Sequence, residues 1–272
     1  MIAEVRCACN YNEGMQLGPV HLVVADLDRS VAFYQDAIGL QVHERTDATA
    51  ALGTGGGAPL LALAGEPGAR RAGRHAGLYH VALLYEGREE LARALQRLVV
   101  IGTPIDGAAD HGVSEAIYLS DPDGNGLELY RDRPRDAWPP PSHPGEKVGM
   151  YTHPLDLQGL YDTVAADPPR RHAAPGLRVG HVHLHVNDLP AAVDFYTREL
   201  GLDLMTMFGD QAAFLSWDGY HHHLGLNTWR GVGIPGVPAS GVVGMRHFTA
   251  TGADGEQRTL TDPAGNRILV SA

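Results

Sequence analysis

The chain carries one stretch of itself twice. LGPVHLVVADLDRSVAFYQDAIGLQV (17–42) and VGHVHLHVNDLPAAVDFYTRELGLDL (179–204) agree without a gap at twelve of twenty-six positions, among them His21/His183, Asp26/Asp188, Phe33/Phe195, Tyr34/Tyr196 and Gly39/Gly201. Identity of that extent marks a duplicated structural unit, and any fold the chain adopts must hold that unit at least twice. Each copy opens with apolar residues at every second position (Val20, Leu22, Val24; Val182, Leu184, Val186), which predicts a strand with one buried face. Asp26 and Asp188 are placed to cap a following helix, and Gly39 and Gly201 to stop it.

A second pair of segments follows the same plan. GLYHVAL (77–83) resembles GMRHFTA (244–250), and SDPDGNGLELY (120–130) resembles TDPAGNRILVS (261–271). In D-P-x-G-N the proline presets one turn angle and Gly-Asn tolerates the left-handed one, which is hairpin chemistry. A helical stretch, GREELARALQRLVVIG (87–102), joins the first members; nothing comparable joins the second. The chain therefore reads as four strand-helix-strands modules, the last one trimmed: an α+β protein of tandem βαβββ units. The first two modules span 17–133 and the last two 178–272. Between them, 134–177 holds half of the chain's eighteen prolines and reads as an extended linker.

Composition narrows the function. A formal net charge of −11 opposes nucleic-acid and anionic-membrane partners. No apolar run reaches membrane-spanning length and the start lacks a basic-then-apolar leader, so a cytoplasmic protein is expected. The only cysteines, Cys7 and Cys9, read as reduced thiols rather than as a metal clip. Histidine is conspicuous, with fifteen copies.

Modules with a histidine on the first strand and a glutamate on the last resemble the vicinal oxygen chelate superfamily, which includes glyoxalase I, bleomycin-resistance proteins and type I extradiol dioxygenases. LYHVALL, DHGVSEAIYLSDPDGNGLELY and GYHHHLGLNTW are most similar to its bacterial catechol 2,3-dioxygenase branch. The resemblance implies two half-barrel domains, with His80 and Glu128 as metal ligands. It also implies that Tyr118, ten residues before Glu128, hydrogen-bonds a bound phenol. Strand alternation agrees independently, because Tyr118 and Ser120 share one face and Glu128 faces opposite Leu127 and Leu129. Two histidines and a carboxylate without thiolate suit Fe(II), with Mn(II) as an alternative, and leave positions for a small aromatic diol and O₂.

The third ligand is open between His21 and His183, which the repeat makes equivalent. The family carries a His-His pair in the module that supplies it, and only module three, with His221-His222-His223, has one. That favours pairing module two with module three, with His183 as third metal ligand and His223 as acid/base. His221, His111 and Asn227 are expected to contact substrate, while His222 should point away by alternation. Pairing of sequence neighbours, giving His21/His80/Glu128, is the alternative. Modules one and four would form a half with Leu269 in the glutamate position, and His21 and His247 there read equally well as structural residues. The expected reaction is extradiol cleavage of a catechol, and the chain leaves room for a homo-oligomer. Two other classes remain: a glyoxalase-type isomerase or lyase using Ni or Zn, and a metal-free protein that sequesters a ligand.

Overall fold

In the computed structural model, residues 15–252 and 257–271 are described; Cys7 and Cys9 lie outside them. The first three modules share one plan. Module one has a strand Gln16–Val24, helix Leu27–Phe33, and strands Gln41–Arg45, Thr49–Gly53 and Pro59–Gly65. Module two has Gly77–Tyr85, helix Arg88–Ile101, Gly107–Asp110, Ser114–Ser120 and Gly126–Asp132; module three has Arg178–His185, helix Leu189–Leu200, Asp203–Phe208, Ala212–Ser216 and Leu224–Asn227. Module four has strands Val242–Thr251, Arg258–Thr261 and Arg267–Ser271, with no helix among the described residues.

The helices begin and end where local chemistry directs. The Asp26 side chain accepts from Arg29 N–H and the Asp188 side chain from Ala191 N–H, each satisfying a free donor of the first turn. Gly39 and Gly201 adopt φ of 83° and 64° at the far ends, a left-handed conformation that favours glycine.

The strands form two sheets that do not follow the sequential halves. An eight-stranded sheet joins module one to module four through the antiparallel pair Gln16–Val24 and Val242–Thr251, with Arg70–Arg71 on the latter. A nine-stranded sheet joins module two to module three through Gly77–Tyr85 and Arg178–His185. One apolar core unites both sheets; it takes in Leu22, Tyr34 and Leu61 from one side and Val81, Leu129, Val182 and Leu226 from the other. Side chains of alternate parity face away from this core, and on the nine-stranded sheet they include His80, Tyr118, Glu128 and His181 beside a small cluster of Ala82, Leu84, Ala116 and Tyr130.

Sequential modules remain tied across the two sheets. Tyr34, from the helical turn of module one, donates to Asp121 Oδ2 in the D-P-x-G-N turn of module two at 3.0 Å. Tyr196 of module three repeats this with Asp262 Oδ2 of module four at 3.1 Å. Each aspartate also accepts the amide of an asparagine in its own turn, Asn125 and Asn266. The repeated tyrosine and the repeated turn are thus two ends of one contact.

The segment 134–177 differs from an extended linker. It adds strand His153–Pro154 to the edge of the nine-stranded sheet and a short helix, Leu157–Asp162, beside helix Arg88–Ile101. Arg88 Nη1 donates to Gly159 O and Gln96 Nε2 to Val164 O, so polar side chains of the long helix tie this segment's backbone to module two. No helix of the described residues is long and apolar enough to cross a membrane.

Candidate metal centre

Register aligns four residues in one row across the nine-stranded sheet: Tyr118 opposite Glu128, Glu128 opposite Ala82, and Ala82 opposite His181. Neighbouring strands are ~4.8 Å apart, so Glu128 and His181, one strand removed from each other, can meet only over the residue between them. That residue is a buried alanine, too small to obstruct. Glu128 Oε2 and His181 Nε2 lie 3.0 Å apart. His80 is two residues before Ala82 on the same face; its Nε2 is 3.0 Å from Glu128 Oε2 and 3.3 Å from His181 Nε2. All three side chains are buried.

This spacing fits a metal ion. Ligand atoms in adjacent positions of an octahedron, with bonds of ~2.1 Å, sit ~3 Å from one another. Two imidazole nitrogens and one carboxylate oxygen then cap a single face, leaving the opposite positions open. Electrostatics agree. Burial alone would raise the Glu128 pKa, but His181 and then His80 hold it well below the usual carboxylate range. Burial lowers the His181 pKa in spite of Glu128, which keeps the imidazole in the neutral form a metal binds.

The three atoms lie in a cavity of about 250 Å³ whose lining includes Tyr118, His111, His183, His222, Phe214 and Trp229. His111 Nδ1 faces Tyr151 O at 2.9 Å, which makes it the protonated nitrogen. Its Nε2 therefore accepts from the Tyr118 hydroxyl at 2.7 Å. Burial, and then Glu128, push the Tyr118 pKa well above that of a free phenol, so the hydroxyl keeps its proton. Met150, Tyr151 and Thr152, from the segment read as a linker, complete a wall.

The structure brings His181, rather than His183, to Glu128. His183 pairs with His80 in the next row, beside Gly126 rather than Glu128, and so stands one diagonal further from the carboxylate. It still lines the cavity, and its buried Nε2 has no hydrogen-bond partner among the described residues. A Cβ on Gly225 would come within 2.7 Å of its ring, so glycine is needed there for the imidazole to lie flat.

The histidine run is also arranged differently from the alternation argument. Residues 220–223 are not strand; the strand starts at Leu224, so period-2 alternation does not apply to them. His222 lines the cavity with its ring centroid 4.1 Å from that of His181. Its Nδ1 meets His221 Nδ1 at 2.8 Å, and His221 Nε2 meets Asp132 Oδ1 at 2.9 Å. His223 turns away, with Nδ1 2.8 Å from Ser216 Oγ, and burial followed by His221 lowers its pKa to about 3. Asn227 Oδ1 accepts from His185 Nδ1 at 2.7 Å and from Trp229 N–H. Neither His221, His223 nor Asn227 lines the cavity.

The other sheet holds the same row with different residues. Thr259, Leu269 and Thr249 occupy the places of Tyr118, Glu128 and Ala82, and the duplicated alignment sets Pro19 against His181. His21 and His247 stack at 3.9 Å, and among the described residues they belong to no group of metal-ligating side chains. Sequence reasoning did not single out His181, which meets Glu128, or His222, which lines the cavity. A signal for the first existed in the shared His-Val-x-Leu of 80–83 and 181–184, which aligns module two with module three directly.

The chain matches the Glyoxalase/Bleomycin resistance protein/Dioxygenase superfamily over residues 16–129 and 178–248. It is 42% identical over 241 residues to the Catechol-2,3-dioxygenase of Bacillus subtilis (strain 168), covering 88% of this chain and 83% of that one. Among solved structures, a putative dioxygenase from Bacillus subtilis subsp. subtilis str. 168 superposes with a TM-score of 0.59 at 13% identity, covering 93% of this chain and 84% of that one. Glyoxalase I from Zea mays gives 0.57 at 17% identity, covering 94% and 92%. At such identities the two structures speak for the fold alone.

Proposed function

The chain belongs to the Glyoxalase/Bleomycin resistance protein/Dioxygenase superfamily as an extradiol ring-cleaving dioxygenase, and we propose that it works with Fe(II) held by His80 Nε2, His181 Nε2 and Glu128 Oε2. The observation that carries this assignment is the meeting of those three atoms at 3.0–3.3 Å on the floor of a cavity. When bound, Fe(II) supplies Lewis acidity toward the vicinal oxygens of a catechol and the electron transfer that O₂ requires. Ligand chemistry alone leaves Mn(II) as the alternative ion. Iron kept in the ferrous state suits the reducing cytoplasm.

The surrounding side chains handle protons and position. Asp132 accepts the His221 Nε2 proton, and in that tautomer the other ring nitrogen, Nδ1, is bare. His222 Nδ1 must then carry a hydrogen to fill the 2.8 Å contact, leaving His222 Nε2 unprotonated. That nitrogen is the base that takes a hydroxyl proton from the catechol and later returns it. Tyr118 Oη, already donating to His111, accepts from a substrate hydroxyl or swings its proton onto the deprotonated oxygen. Phe214 and Trp229 flank the ring and keep water away. Both atoms of O₂ enter the product, and the carbon–carbon bond beside the diol opens to a semialdehyde or its equivalent.

The test is oxygen uptake by protein purified without air and loaded with Fe(II), or in parallel with Mn(II), against a panel of catechols. One O₂ consumed per yellow ring-opened product supports the proposal. Iron-loaded protein that consumes no O₂ with any catechol overturns it.

A further inference from the structure

A second cavity, of about 560 Å³, is lined from both sheets and shares no lining residue with the first. It is bounded by the starts of strands Gly77–Tyr85 and Val242–Thr251 and by both D-P-x-G-N turns, through Gly124 and Gly265. Its charge is the reverse of the chain's. The net charge of the chain is −11, yet Arg71, Arg230, Arg246 and Arg267 line this cavity against two carboxylates, Glu66 and Asp123. Both carboxylates are engaged away from those four arginines. Asp123 pairs with Arg29, which lies outside the lining, and accepts the Ala25 N–H at 2.9 Å. Glu66 Oε1 accepts the Gly241 N–H at 3.1 Å.

Among the described residues, none of the four arginines forms an ion pair. Two of them are oriented by neutral carbonyls: Arg71 Nε donates to Asp123 O at 2.9 Å, and Arg230 Nη1 donates to His75 O at 3.1 Å. Such bonds fix the direction of a guanidinium while leaving its charge and its other N–H groups available. Arg230 is half-buried, and burial lowers its pKa.

The repeat accounts for the other two. Module two places Tyr79, Gly126 and Glu128 around His80, and the aligned positions around His247 are Arg246, Arg267 and Leu269. The half that has no glutamate at this place thus carries two further guanidinium groups. Both stand close enough to His247 to lower its pKa, after burial and His21. Neither side chain has a hydrogen bond among the described residues.

We propose that this second cavity binds a small organic dianion, whose oxyanion groups are phosphate or carboxylate, held by Arg246 and Arg267 and flanked by Arg71 and Arg230. Like charges that line one cavity repel, and an oxyanion among them removes the repulsion while its lone pairs meet the free N–H groups. The volume lies within the ~300–1,000 Å³ typical of small-molecule sites, and Val23, Val237 and Met245 offer apolar surface to a carbon body. The assignment does not depend on the metal centre or on its reaction.

The experiment is calorimetric titration of the full chain with methyl phosphate and with succinate at constant ionic strength, with chloride as the control anion. The expected result is that at least one of the two dianions saturates a single site per chain with a Kd below ~1 mM, while chloride does not. The tighter of the two tells whether the site is built for phosphate or for carboxylate. Arg246 and Arg267 are exposed, so the double variant Arg246→Gln/Arg267→Gln should keep the thermal midpoint of the parent. Its Kd for the same dianion should rise ~10–100-fold. Failure of both dianions to saturate below ~1 mM overturns the assignment. So does a Kd in the double variant within about threefold of the parent value, which would place the anion elsewhere on the chain.

Discussion

Glu128 and His181 sit on strands that are not neighbours, yet Glu128 Oε2 and His181 Nε2 lie 3.0 Å apart across Ala82. The small side chain of Ala82 is therefore part of the centre although it carries no ligand atom. Ala82→Val should fold, with an overpacking cost of ~1–3 kcal/mol, and should hold far less iron than the parent. Metal analysis after anaerobic loading, beside circular dichroism to confirm the fold, makes the check. Full iron occupancy in the valine variant would contradict the row geometry.

Asp132 acts on the cavity from a distance through His221. With Asp132→Asn the carboxylate that fixes the His221 proton on Nε2 is gone, and His222 is no longer held with Nε2 bare. Iron content and KM should stay near the parent values while kcat falls ~10–100-fold. Equal kcat would remove His222 from the proton path.

Tyr34 should matter for stability rather than for turnover. Its hydroxyl is fully buried and donates to Asp121, so Tyr34→Phe leaves a buried carboxylate one donor short. A loss of ~1.5–3 kcal/mol in urea unfolding is expected. Tyr196→Phe should behave alike through Asp262. An unchanged midpoint in both would mean that the repeated contact is not what ties the modules together.

Much of this was legible in the residues, for a reason that also explains what was not. The module plan and the Tyr118/Glu128 face follow from period-2 alternation within a strand, which needs no knowledge of partners. Which histidine meets Glu128 depends on which residue of Arg178–His185 stands opposite Ala82, and that register is altered by an irregularity between Val179 and His181. His222 was read as facing away because residues 220–223 were treated as strand, whereas they form the loop before it. The wall built by Met150, Tyr151 and Thr152 lies in a proline-rich segment whose composition says nothing of what it packs against.

The stacked histidines of the other sheet predict a pH effect. Burial, then His21, lower the His247 pKa from 6.5 to about 4. Between those values the unfolded chain binds more protons than the folded one, so stability rises with pH across the window and is lost as pH falls through it. The urea midpoint should drop from pH 7 to pH 5, and drop less in His247→Phe. Other buried histidines, such as His185, also lowered to about 4, keep the slope from vanishing. A drop as large in His247→Phe as in the parent would exclude His247 as a contributor.

On the proposed assignment, His181 holds the metal together with His80 and Glu128. Iron per chain after anaerobic loading, compared between His181→Ala and His183→Ala, tests it most directly. The geometry predicts that His181→Ala loses its iron while His183→Ala keeps close to the parent amount. Iron retained in His181→Ala and lost in His183→Ala would contradict it.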